Sequence, residues 1–258
     1  MTRFRAKLWT GVGAALLIGA GGALEACSKH GASPEGPAAS TTPASGAVQA
    51  AAGEGGEGGS EGGGEAGAQQ AFNTIPADSK LALRLAQLKG FVLIALKQTD
   101  GPDAAGILLS QGLLETYDKN PAPYKAGGID EALLRKASKT GKPEDLKAAL
   151  ANIEAAQAKA GGDPIAVAKG LVDIAAGLYQ GAVQPGSVDP IDYQHSLGAA
   201  LAAQELLHAE AGKDKRAKAA EPEMKAFVAL WPTPSAPKTP TPAGQVAAQA
   251  SRLELELS

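Results

Sequence analysis

From Ser79 to about Trp231 the apolar positions recur at the three-to-four-residue spacing of an α-helix, and no sustained alternation argues for strands. The first periodic segment carries Leu81, Leu85, Leu88, Val92 and Leu96 on one narrow stripe. Leu83 and Ile94 lie opposite, which predicts that its second half is buried on two sides. Asp100-Gly101-Pro102 ends this helix, a second follows over about 103–117, and Asn120-Pro121-Ala122-Pro123 reads as a loop. Further along, Pro143, Asp163-Pro164 and Asp189-Pro190 each place proline at or near a first helical position, the latter two behind a capping aspartate. Between those two caps, Val167, Leu171, Ile174 and Leu178 form one stripe, while Ile165, Val172 and Tyr179 form another on roughly the opposite face. Two apolar faces predict a central helix of a bundle.

These elements predict an all-α fold, an antiparallel helical bundle of about five to seven helices over residues 72–231. The flanks have other compositions. Residues 53–67 read GEGGEGGSEGGGEAG, and no lysine or arginine occurs between Lys29 and Lys80. Residues 27–71 therefore have no apolar surface to offset ordering entropy and are expected to form a disordered linker. As a Gly-rich coil it would span roughly 35–40 Å root-mean-square, enough to hold a domain clear of a membrane. After the bundle, residues 232–258 comprise a proline-rich spacer and a short C-terminal helix. In that tail Val246, Ala250, Leu253 and Leu257 keep helical spacing, although Leu253, Leu255 and Leu257 also alternate, and its docking is left open.

Residues 1–26 have the layout of an export signal: Arg3, Arg5 and Lys7, then an apolar stretch from Leu8 to about Leu24 that five glycines dilute below a membrane span. Leu24-Glu25-Ala26-Cys27 closes it and contains the one cysteine of the chain. This box resembles the lipobox of bacterial lipoproteins. The resemblance implies lipidation at Cys27, a membrane lipid as partner and a chain facing the periplasm. Ser28 after the cysteine favours the outer membrane.

Charge narrows the partners. The chain carries 24 basic and 27 acidic residues, net −3; removing Arg3, Arg5, Lys7 and Glu25 with the signal leaves a net charge of −5. Without basic clusters there is no electrostatic footprint for nucleic acid. The run Lys213-Asp214-Lys215-Arg216-Ala217-Lys218 reads as a solvated face.

Candidate chemistry is sparse. There is no Gly-x-Ser-x-Gly elbow, phosphate loop or dinucleotide fingerprint, so the chain reads as a binding protein rather than an enzyme. Of three histidines, His30 falls in the linker. Glu205-Leu206-Leu207-His208 has the Glu-x-x-His spacing of carboxylate-bridged metal bundles, but no second such motif occurs. Glu205 and His208, with His195 earlier on the same helix, are the candidate ligands for a divalent metal or iron; no other cofactor is assigned. The structural alternative places His208 on an apolar arc, hydrogen-bonded to Gln204 one turn earlier. Glu115, Tyr117 and Asp118 read as the solvated polar end of the second helix.

Residues Tyr179 to Gln194 read YQGAVQPGSVDPIDYQ. This stretch resembles a helical hairpin in periplasmic domains associated with bacterial high-affinity iron permeases, through Tyr179, Ala182, Val183, Gly186, Val188, Tyr193 and Gln194. The resemblance covers 16 to 30 residues, and His195 stands where the family has a carboxylate. It implies a helical fold and a role beside an envelope or transport partner in metal uptake.

Overall fold

Residues 63–258, with side chains from Ala68 onward, are described by the computed structural model. The signal, Cys27, His30 and the linker up to residue 62 lie outside them. Ten α-helices follow one another among the described residues, more than the five to seven expected because short and terminal segments are helical too. They are α1 (Gly63–Thr74), α2 (Lys80–Leu96), α3 (Pro102–Glu115), α4 (Ala122–Ala126), α5 (Glu131–Thr140), α6 (Pro143–Ala160), α7 (Pro164–Ala182), α8 (Pro190–Glu210), α9 (Lys215–Val228) and α10 (Ala243–Glu256). The all-α expectation holds, with one small addition. A two-stranded hairpin, β1 (Val183–Gln184) and β2 (Ser187–Val188), joins α7 to α8, with Val183 opposite Val188.

The helix starts follow the predicted chemistry. Asp163 and Asp189 accept hydrogen bonds from Ile165 N and from Ile191 and Asp192 N, satisfying amides that the first turn leaves open. Pro143, Pro164 and Pro190 each occupy the first helical position, where a missing N–H costs nothing. In the hairpin Gly186 takes φ +83°, a backbone conformation that favours glycine.

Helix α2 lies between two hydrophobic clusters, as its two apolar faces require. Leu85, Leu88 and Val92 join Leu109 and Leu113 of α3, Leu134 of α5 and Ile153 of α6. Leu83 and Ile94 face the other way, into a cluster built mainly from α7, α8, α9 and α10. Both stripes of α7 are buried, so it is the central helix that its pattern predicts.

One boundary moves, and the open question of the tail closes. The linker was expected to run to residue 71, yet helix α1 begins at Gly63, and Ala71 and Ile75 are buried in the second cluster. At the other end α10 docks through Val246, Ala250, Leu253 and Leu257, the helically spaced set of the tail. The proline-rich connection to it is strapped down by tyrosines: Tyr179 donates to Thr241 O (2.7 Å) and Tyr193 to Thr233 O (3.2 Å). Burial raises the pKa of both, that of Tyr193 to about 12 with a second contribution from Tyr179.

The α2–α8 crossing is unusually close because both helices offer glycine there. A Cβ on Gly198 would stand 2.5 Å from Gly90 O, and one on Gly90 2.7 Å from Gly198 O. Backbone thus meets backbone, one turn along α8 from His195.

Candidate metal centre

The polar residues of α8 fall in two very different places. His195 is wholly buried, although it lies in the first turns of the helix. Its fixed start positions it: the Asp189 cap and Pro190 set the first turn, and Ser196 next to it is locked in a relay. Ser196 Oγ donates to Tyr193 O (2.7 Å) and accepts from Trp231 Nε1 (2.9 Å). The imidazole lies 4.5 Å, centroid to centroid, from the Phe91 ring of α2.

Its ring nitrogens have distinct roles. Nε2 lies 3.1 Å from Leu108 O of α3, and a carbonyl can only accept, so Nε2 carries a hydrogen. Nδ1 has no hydrogen-bond partner. Glu115 Oε2, at the end of α3, stands 3.3 Å from it, within ion-pair range but out of line for a hydrogen bond. Ligand atoms of Glu115, Asp192 and His195 all lie within 4.8 Å of one another. Glu115 and Asp192 are half-buried, so the group opens towards solvent on the carboxylate side.

The end of α3 that presents Glu115 is itself held. Thr116 Oγ1 donates to Gly112 O (2.7 Å), and Arg135 of α5 pairs with Asp118 and lies 5.5 Å over the Tyr117 ring. The Asp118 pairing, opposed by partial burial, raises the pKa of Arg135. Asp118 and Tyr117, read from sequence as a solvated terminus, thus anchor the turn that follows Glu115.

The arrangement fits an ion. Two ligands at about 2.0–2.2 Å from one metal stand roughly 3.0–3.5 Å apart when adjacent in its coordination sphere. The 3.3 Å between Nδ1 and Oε2 is of that size. A histidine whose second nitrogen donates to a backbone carbonyl is the orientation that metal-binding histidines usually have. One imidazole with two carboxylates suits borderline ions such as zinc, manganese or ferrous iron, with positions left open.

The sequence-proposed pair behaves otherwise. Glu205 is ion-paired with Lys89 at 2.8 Å, and Lys89 also holds Glu154 at 3.0 Å. Partial burial pulls the pKa of Lys89 down, but the hydrogen bonds and charges of Glu205 and Glu154 together outweigh it and raise the pKa. His208 is exposed, with Nδ1 3.0 Å from Glu221 Oε1 of α9, not on a buried apolar arc and not bonded to Gln204. Glu205 and His208 border one surface depression, yet each has a partner elsewhere, and His195 is not part of it. Of the three sequence candidates only His195 enters a ligand cluster among the described residues. Glu115 and Asp192 were not predicted as its partners.

Compared with protein-family models, curated proteins and solved structures, the chain matches none of them.

Proposed function

We propose that the chain is an exported lipoprotein, anchored through Cys27 in the envelope, whose helical domain binds a divalent transition-metal ion at Glu115, Asp192 and His195. One observation carries the reading: a wholly buried imidazole has its tautomer set by Leu108 O and turns an unpartnered Nδ1 towards carboxylates. A lone pair facing the Glu115 carboxylate at 3.3 Å is unfavourable unless something positive sits between them, such as a proton or a metal ion. The solvent-open carboxylate side supplies an entry path for the ion. The sequence resemblance to domains associated with iron permeases points towards metal handling beside a transport or envelope protein, although His195 is the position at which that resemblance departs. A binding role rather than catalysis follows from the motifs, with the linker spacing the domain from the lipid.

Metal content and isothermal titration on the full chain purified in detergent test the reading, with Zn²⁺, Mn²⁺ and anaerobic Fe²⁺. One ion per chain is expected, with affinity falling at least about tenfold, ~1.4 kcal/mol, in Glu115→Gln. This variant keeps the shape of a half-buried side chain and the fold. Binding undiminished in Glu115→Gln would move the ion to another site, the acidic linker or Glu205 and His208. No binding at all would leave the buried imidazole as half of a proton-bridged ion pair.

A further inference from the structure

A cavity of about 290 Å³ opens beside the candidate metal centre, between α1, α2 and the α3–α4 connection. Its walls include Arg84, Gln87, Glu115, Lys119, Asn120 and Tyr124. Glu115 belongs to both places: one carboxylate faces His195 and borders the cavity. A molecule in the cavity would therefore sit next to an ion held by that carboxylate.

Two of the wall residues, Arg84 and Gln87, present polar groups to the cavity. Gln87 of α2 is largely buried, at 6% exposure, and borders the cavity, where its amide can donate to or accept from a bound molecule. Arg84, one turn earlier on the same helix face, has no carboxylate partner among the described residues; its guanidinium lies 4.9 Å over the Phe72 ring and beside the Tyr124 hydroxyl. With one donor used on Tyr124, a stacked guanidinium has four more N–H groups with which to bind an oxyanion. Asn120 supplies a further neutral polar group. Arg84 and Lys119 bring two cations to the walls against the one carboxylate of Glu115, and the volume lies at the bottom of the range for small-molecule sites.

We propose that this cavity binds a small polycarboxylate through Arg84 and Gln87, so that the domain takes up its metal as a carboxylate chelate. The inference rests on the metal reading of Glu115, Asp192 and His195. Three protein ligands leave coordination positions open, and a chelator's oxygens fill them from the cavity side while a further carboxylate meets Arg84. No covalent step is involved.

Equilibrium dialysis of labelled citrate against the full chain, with and without one equivalent of Zn²⁺, tests this. Citrate is expected to bind at least about tenfold more tightly with Zn²⁺ present, and Arg84→Gln to remove most of that binding. The same variant keeps its affinity for Zn²⁺ alone within about twofold, which shows that it still folds. Gln87→Leu, which leaves no amide to satisfy, weakens citrate binding and is tolerated in the fold. If Zn²⁺ binds in a Glu115-dependent way but citrate gains nothing from it, the inference fails while the metal reading stands. If inorganic phosphate replaces citrate with equal affinity, the carboxylate assignment fails. Absence of Zn²⁺ binding overturns both.

Discussion

His195 and His208 belong to the same helix, yet one is sealed inside the bundle and the other has a side chain 83% exposed. The projection of α8 placed His208 on an apolar arc, and the assumption was that the arc is covered. It is covered only where neighbours exist. Around His195, α2 brings Phe91 and α3 brings Leu108; around His208, α9 offers Glu221 across a surface depression. From Tyr193 to Ala200 every residue is buried, so the helix is enclosed on all sides and no stripe remains to read. Burial at a helix position is set by what packs there, and periodicity reports only the case of one covered face.

The largest expected effect breaks this enclosure. Gly198→Ala would drive a Cβ to 2.5 Å from Gly90 O, and neither backbone can yield without separating α2 from α8. Overpacking of this kind costs about 2–3 kcal/mol, a fall in Tm of about 4–12 °C for a domain of this size. Gly212→Ala, just beyond the other end of α8, meets nothing within 4 Å and should stay within about 0.5 kcal/mol of wild type. Thermal unfolding of the two variants side by side is the check. Equal shifts would mean that the tight crossing does not control how α8 is buried.

Much of the architecture was legible because it depends on local chemistry. Asp163 and Asp189 cap where an aspartate before proline should cap, and the opposed stripes of α2 and α7 point into two clusters. The start of α1 was hidden because GGEAGAQQAFNT has little apolar surface; it is helical where Ala71 and Ile75 find the bundle. The candidate site was the least legible part. Glu-x-x-His spacing shows that two side chains share a helix face, and it is silent on Lys89 and Glu221, which come from other helices. Likewise Leu108 and Glu115 reach His195 across 87 and 80 positions of sequence, a juxtaposition that only the fold creates.

Intermediate in burial between the enclosed and the open histidine is Asp173 of α7, which lies against Glu254 of the docked α10. Burial first, then the shared hydrogen bond and charge of Glu254, raise its pKa to about 7, with Lys169 opposing. The native state therefore holds a proton that the unfolded chain releases near pH 4. The resulting stability is fully present below about pH 4 and declines as pH rises towards 7, levelling off above it. Asp173→Asn cannot ionise and should flatten this slope. Urea midpoints at pH 5 and pH 8 compare the two. A wild-type midpoint that rises with pH across this window, relative to Asp173→Asn, would mean that α10 does not confine the acid.

The smallest effect is expected at His208. Its contact with Glu221 joins two groups in water, where an ion pair is worth about 0–1 kcal/mol and its loss strands nothing. His208→Leu should leave stability within about 0.5 kcal/mol of wild type. It does not continue a buried face, so the gain from an apolar side chain is absent as well. The variant should also bind metal as the wild type does, because the proposed ligands lie at the other end of α8. Unfolding midpoint and metal stoichiometry, measured on the same preparation, decide the matter together. A folded His208→Leu protein that has lost its metal would move the centre to Glu205 and His208. It would then be Lys89 and Glu221 that yield their partners to the ion.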